Sequence, residues 1–383
     1  CIGKGQAATY VVAASNSKNK QYADYIADGT GDQNEIQAAI NAAYTSSRGT
    51  GGKIYLLEGD FSVNGTTTMA TGTMVVGSGA GTRITVANAT NNQIAVFYAN
   101  YSTGLYVGNM SIFGNKGNQG AYVHNGINWN DVSSSTLENL EIRAFTNDNI
   151  GMSESAVFVS KHNHIDKVDS SDSNEAGFYG SCVNCSISNS VITGNLNSGI
   201  SGTSYSYLSN LDVGNNAGYG VNMGIGSTLE NSDVYANTGG QPALLVGTFG
   251  RAIGNKVSSN SSDGISAGTE SVVSNNVVSG NVGPGISLVG VIRSAITGNT
   301  ISSNEAEGIY MSGSLANTIT GNAFYDNAGV SLADVFGSIT LENSSTDNIV
   351  SGNSIVKTTT AITLNAIYVS SNSLRNYVAN NSY

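Results

Sequence analysis

The sequence predicts an all-β protein, a right-handed parallel β-helix with a short N-terminal capping helix, on three observations. An apolar residue stands three before an asparagine seven times between Ser190 and Asn327: Ile192/Asn195, Val213/Asn216, Val234/Asn237, Val257/Asn260, Val278/Asn281, Ile301/Asn304 and Phe324/Asn327. The asparagines recur every 21 or 23 residues. A Gly followed by an apolar residue keeps the same phase, at Gly177-Phe178, Gly199-Ile200, Gly220-Val221, Gly264-Ile265, Gly285-Ile286, Gly308-Ile309 and Gly329-Val330.

A fixed period of 20 to 25 residues marks a solenoid whose repeats bury their apolar faces only against their neighbours. Each unit reads as two or three short strands with alternating apolar positions, divided by Gly/Asn turns. Stacked in parallel, Val and Ile point inward, Gly supplies turn positions of positive φ, and in-register asparagines bond to one another along the axis. About a dozen coils at ~4.8 Å give a rod of about 60 Å.

In chain order, residues 1–25 form an extension with one apolar strand, Tyr10 to Ala14, that could be donated to another subunit. Residues 26–52 form the capping segment. Asp32 is placed as a helix N-cap with Glu35 completing a capping box, and Ile36, Ala39, Ile40 and Ala43 share one face. The solenoid occupies 53–383, with lengthened coils at about 115–174 and 328–353. Asp28-Gly-Thr-Gly-Asp32, the amphipathic helix, Gly51-Gly52 and the strand from Lys53 to Leu57 resemble the entry module of the pectate-lyase-like superfamily over residues 22–63. The resemblance implies that the helix covers the first coil. The coils from 105 to 237 look similar to mannuronan C5-epimerases and polysaccharide lyases. Those epimerases carry Tyr-Gly-Phe-Asp-Pro-His, whereas this chain has Ile150-Gly-Met-Ser-Glu-Ser155, so the likeness implies the scaffold without the mechanism.

Composition narrows the partners. Only 11% of residues are charged and the net charge is −11, with no basic stripe to neutralise phosphates, which excludes nucleic acid. No apolar run of 18 residues exists to span a membrane. Cys1 suggests a lipid-bearing or intersubunit-linking terminus, with a simple chain boundary as the equal alternative. Eight Asn-x-Ser/Thr sequons permit glycosylation without arguing for it. Cys182 and Cys185 are read as buried thiols filling the interior, ahead of a disulfide or metal site.

The lengthened coils gather the chemistry. Catalytic candidates are His124, His162, His164, Asp166, Asp169 and Asp172. Alternation puts His162, His164 and Asp166 on one strand face, as a metal site or as general acid and base, and Asp169 with Asp172 could serve a glycosidase. Trp129, Lys116, Arg143 and Lys161 are candidate sugar contacts, and a solvated outer face is the plain alternative for each. No cofactor or resident metal is implied. Two functions follow: an extracellular or cell-surface solenoid that self-associates end to end into filaments, suggested by repeats that stay in phase to the C-terminus, or a polysaccharide-active enzyme or tailspike-type depolymerase.

Overall fold

In a computed structural model, residues 9–153, 160–327, 337–357 and 366–383 are described, and they form two compact units, 1–196 and 197–383. Each is built from parallel strands wound as a right-handed β-helix.

Unit 1 begins with Thr9–Ala13, which pairs in parallel with Tyr25–Ile26 and Lys53–Leu56. With Val12 and Ala13 fully buried, this strand is part of the first coil of its own chain. The helix Gln33–Ser46 packs Ile36, Ala39, Ile40 and Ala43 against that coil. Asp32 stands at its N-cap but makes no capping bond, so the capping box does not form. Its buried carboxylate instead accepts from the N–H groups of Gly29 at 2.8 Å and Ser62 at 2.7 Å, which ties the helix to the neighbouring strand.

Two sheets follow, and alternation decides what each buries. In the first sheet, Ile54, Val75, Val107, Leu137, Ile165 and Ile187 stack coil on coil as an inward column. In the second, Phe97, Ile127, Ile150 and Phe178 do the same. Each such side chain contributes roughly 1.5–3 kcal/mol by leaving water. The coils lengthen before Asn115: equivalent positions lie 32 residues apart from Thr71 to Thr103, 30 from Leu105 to Ser135 and 28 from Ser135 to Asn163, shortening to 22 at Cys185. Segments 154–159 and 328–336, in the expected long coils, lie outside the described residues, as do Cys1 and Gly329-Val330.

Cys182 and Cys185 are buried as expected, but they form a disulfide, Cα to Cα 5.8 Å apart. The turn between Phe178–Val183 and Ser186–Ser188 brings the two residues within bonding reach, which spacing alone does not reveal.

Unit 2 repeats every 21 or 23 residues, then 31 and 28. The expected asparagine ladder is present. Asn237 Nδ2 donates to Asn260 Oδ1 at 3.0 Å, Asn260 to Asn281 at 2.8 Å and Asn281 to Asn304 at 2.9 Å, and each oxygen also accepts the backbone N–H of the preceding asparagine. A second ladder, unexpected from the sequence, runs Asn255, Asn276, Asn299, Asn322, Asn353, Asn381. The marker glycines differ from expectation in their role. Gly264, Gly285 and Gly308 do not adopt positive φ. A Cβ on Gly285 would lie 2.6 Å from Ile301 Cγ2 and 2.8 Å from Asn304 Nδ2. Glycine and asparagine recur in phase because they touch.

Candidate functional site

The candidates chosen from sequence divide between two places in unit 1. His164 and Asp166 do share the outer face of His164–Ser171, joined there by Asp169 beyond the positive-φ residue Lys167. His162 stands outside the strand, in a bend at φ 54°. His164 Nδ1 meets Ser186 Oγ at 2.6 Å. Burial raises the Asp166 pKa, but bonds from Asn189 at 2.6 Å and Ser188 at 2.8 Å, with Lys167 at 3.1 Å, outweigh it and hold the carboxyl below its ordinary value. That carboxylate is fully engaged. Asp169 is pushed up by burial and by Glu141, its partner one coil back. Asp172 lies past the strand and pairs with Lys116 at 2.7 Å. Arg143 pairs with Glu141 at 3.1 Å and covers the Phe113 ring at 4.6 Å. This face is a set of satisfied ion pairs and hydrogen bonds.

Trp129 and His124 are corrections. Both are 0% exposed on His124–Asn130, so the Trp129 ring offers no surface to a sugar and His124 reaches no solvent-borne substrate. Neither the indole N–H nor either imidazole nitrogen has a hydrogen-bond partner, and burial lowers the His124 pKa below 6.5. Trp129 fills the column between Ala99 and Met152, where the small Ala99 leaves room for its ring.

A different set converges on the outer face of the second sheet. Register aligns Tyr98, Asn128, Gly151 and Tyr179 across four adjacent strands, and beside them Asn100, Asn130 and Ser153. Tyr179 is 57% exposed. Asn130 donates to the Tyr98 hydroxyl at 3.5 Å, and Ser153 to Asn130. At one end of these strands, Thr66, Gln93, Ile94, Ala95, Tyr98, Asn125 and Asn128 line a cleft of about 260 Å³. At the other end, Tyr101, Ser102, Thr103, Asp131 and Ser133 line one of about 390 Å³. Lys161 follows Ser133 in register there.

Asp148 stands two residues before Ile150–Ser153, beside Asn125 of the first cleft, and is only 8% exposed. Burial raises its pKa to about 6, Glu175 adds to the rise, and the bond from the Ala176 N–H at 3.0 Å opposes it. Asn125 Oδ1 fixes the loop by accepting from the Asp148 N–H at 3.2 Å and from Asn147 Nδ2 at 2.8 Å. Gly151 gives the carboxyl its opening: a Cβ there would lie 3.9 Å from Asp148 Oδ2 and 4.0 Å from Asn128 Oδ1, ordinary contact distances for an incoming atom. A carboxyl of pKa about 6 both donates and accepts protons near neutrality. Asp148 is visible in the sequence of the lengthened coil, but nothing local to it signals burial. In unit 2, Asp263 and Glu307 occupy the same coil position, two before the first inward residue of a second-sheet strand, and burial raises both.

No group of three or more His, Cys, Asp or Glu among the described residues is arranged to hold a metal ion. No helix there is long and apolar enough to cross a membrane.

Residues 237–338, about a quarter of the chain, match the family described as periplasmic copper-binding protein (NosD). No curated protein sequence matches. Among solved structures, the mannuronan C-5 epimerase AlgE4 A-module of Azotobacter vinelandii is similar at TM-score 0.59 and 16% identity, over 92% of this chain and 97% of that one. The Dettilon tailspike protein gives 0.60 and 14%, over 88% and 64%. Bacteriophage CBA120 tailspike protein 3 gives 0.52 and 13%, over 90% and 58%. These likenesses establish the parallel β-helix fold.

Proposed function

We propose that the chain is a polysaccharide-active protein. In this reading it binds a glycan across the Tyr98–Asn128–Gly151–Tyr179 row, with Asp148 as its acid–base group. The observation that carries this is Gly151, whose missing side chain leaves a position 3.9 Å from the mostly buried Asp148 carboxyl, of pKa about 6, in a row flanked by two tyrosines in register. Aromatic rings pack on the apolar faces of sugars, and amide side chains such as Asn128 and Asn130 satisfy hydroxyl groups. Strands spaced ~4.8 Å apart put Tyr98 and Tyr179 about 14 Å apart, room for two or three sugar rings. That the similar structures include an enzyme acting on mannuronan and two tailspikes supports the reading.

The Cys182–Cys185 disulfide favours an oxidising location, periplasmic or extracellular. The copper of the matched family's name is not carried over. Residues 237–338 contain no His or Cys, and their one Met, Met311, is fully buried, whereas copper sites draw on imidazole, thiolate and thioether ligands.

The test is a polysaccharide panel scored for both retention and released reducing ends. Tyr98→Ala and Tyr179→Ala should each weaken retention about tenfold, since stacking contacts of this kind are worth roughly 1 kcal/mol or more. Asp148→Asn should spare retention and abolish turnover. Retention indifferent to both tyrosines would refute the placement of the site.

A further inference from the structure

Resting on that reading, we infer that the groove takes an uncharged polysaccharide and discriminates against polyuronates. A polyuronate carries one carboxylate per sugar, so any segment filling the row would bring two or three negative charges onto it. The outward side chains of the row are tyrosines, asparagines, a serine and a glycine, with no cation among them. Neither cleft at the strand ends is lined by Lys or Arg. The charges that are present have the wrong sign for a polyanion: Asp148 beside the first cleft, Glu175 close enough to raise its pKa, and Asp131 in the second cleft.

The three cations weighed as sugar contacts, Lys116, Arg143 and Lys161, do not stand in the row. Lys116 is paired with Asp172, while Arg143 is paired with Glu141 on the other sheet. Lys161 stands at one edge, next to Ser133. The whole chain adds a net charge of −11 to the approach of any polyanion. Hydroxyl and amide groups on a neutral glycan meet no such penalty, and Asn100, Asn128 and Asn130 both donate to and accept from them.

The comparison that isolates charge uses the full chain and two forms of one polymer: polymannuronate, and the same polymer after chemical reduction of its carboxyl groups to primary alcohols. Chain length and linkage are then equal. Retention of the reduced polymer should be at least about tenfold stronger than that of the parent at low salt, because like charges brought together at an interface are costly. The gap should narrow as salt rises. Asp148→Asn and, separately, Asp131→Asn should narrow it too, so failure of one variant to fold leaves the other to read. Equal or stronger retention of the uronate form overturns the inference while leaving polysaccharide binding intact. Retention of no polymer in the wider panel, charged or neutral, overturns both.

Discussion

Asp148 and Ala176 meet across one coil, the N–H of Ala176 donating to Asp148 Oδ1 at 3.0 Å. That bond favours the charged carboxylate, yet the pKa still rises to about 6, because burial costs the charge more than one hydrogen bond returns. The position combines a supported geometry with an unfavourable charge, as proton-transfer groups require.

The folded state therefore holds the Asp148 proton more tightly than the unfolded chain does. Its contribution to stability is full below the ordinary carboxyl value of 3.8 and declines as pH rises through about 6. Asp148→Asn, neutral at every pH, should gain roughly 1–3 kcal/mol over the natural protein near pH 7.5 and little near pH 4. Urea unfolding at the two pH values measures this, and an equal gain at both would contradict a raised pKa.

His124 works in the opposite direction. Its pKa is depressed, so its contribution to stability is present above 6.5 and is lost as pH falls below that toward the folded value. Thermal unfolding of the natural protein should weaken through the mildly acid range. His124→Leu should flatten that decline, and it removes two buried nitrogens that have no hydrogen-bond partner.

Asn304→Ala would orphan the backbone N–H and the side-chain amide of Asn281, now 3.1 and 2.9 Å from Asn304 Oδ1. It would also free the Val278 carbonyl, to which Asn304 Nδ2 donates at 3.2 Å. Buried groups left unsatisfied cost about 1–3 kcal/mol each, so a loss of at least ~2 kcal/mol is expected by chemical denaturation. The ladder runs in both directions, so Asn281→Ala should cost a similar amount.

Gly285→Ala should destabilise by a comparable ~1–3 kcal/mol, although its φ is one that alanine adopts. The added methyl would meet Ile301 Cγ2 at 2.6 Å. Removing the Cγ2 methyl with Ile301→Leu, which has no Cγ2, should recover part of the loss in the same chain. Such recovery would locate the cost in packing and not in backbone conformation.

The solenoid, its period and its inward residues were legible in the sequence, since each is a local or repeating property. Val257 and Ile301 alternate with polar neighbours, which assigns their face, and Val278, beside Val277, takes the same face from its place in the repeat. The first asparagine ladder was legible for the same reason. The second was equally periodic, as Asn255, Asn276 and Asn299 stand two before those apolar residues, but it was concealed among the many asparagines of the chain. What only the tertiary structure decided is the environment of individual side chains. Trp129 found room inside because Ala99 lies 30 positions back in register, Asp148 became a raised carboxyl because burial and Glu175 outweigh the bond from Ala176, and Cys182 met Cys185 across a turn. Burial, pairing and pKa are set by neighbours a full coil away, and the lengthened coils of unit 1 vary those distances from one turn to the next. A repeating sequence therefore specifies its scaffold locally, while its chemistry waits on which insertions come to lie beside one another.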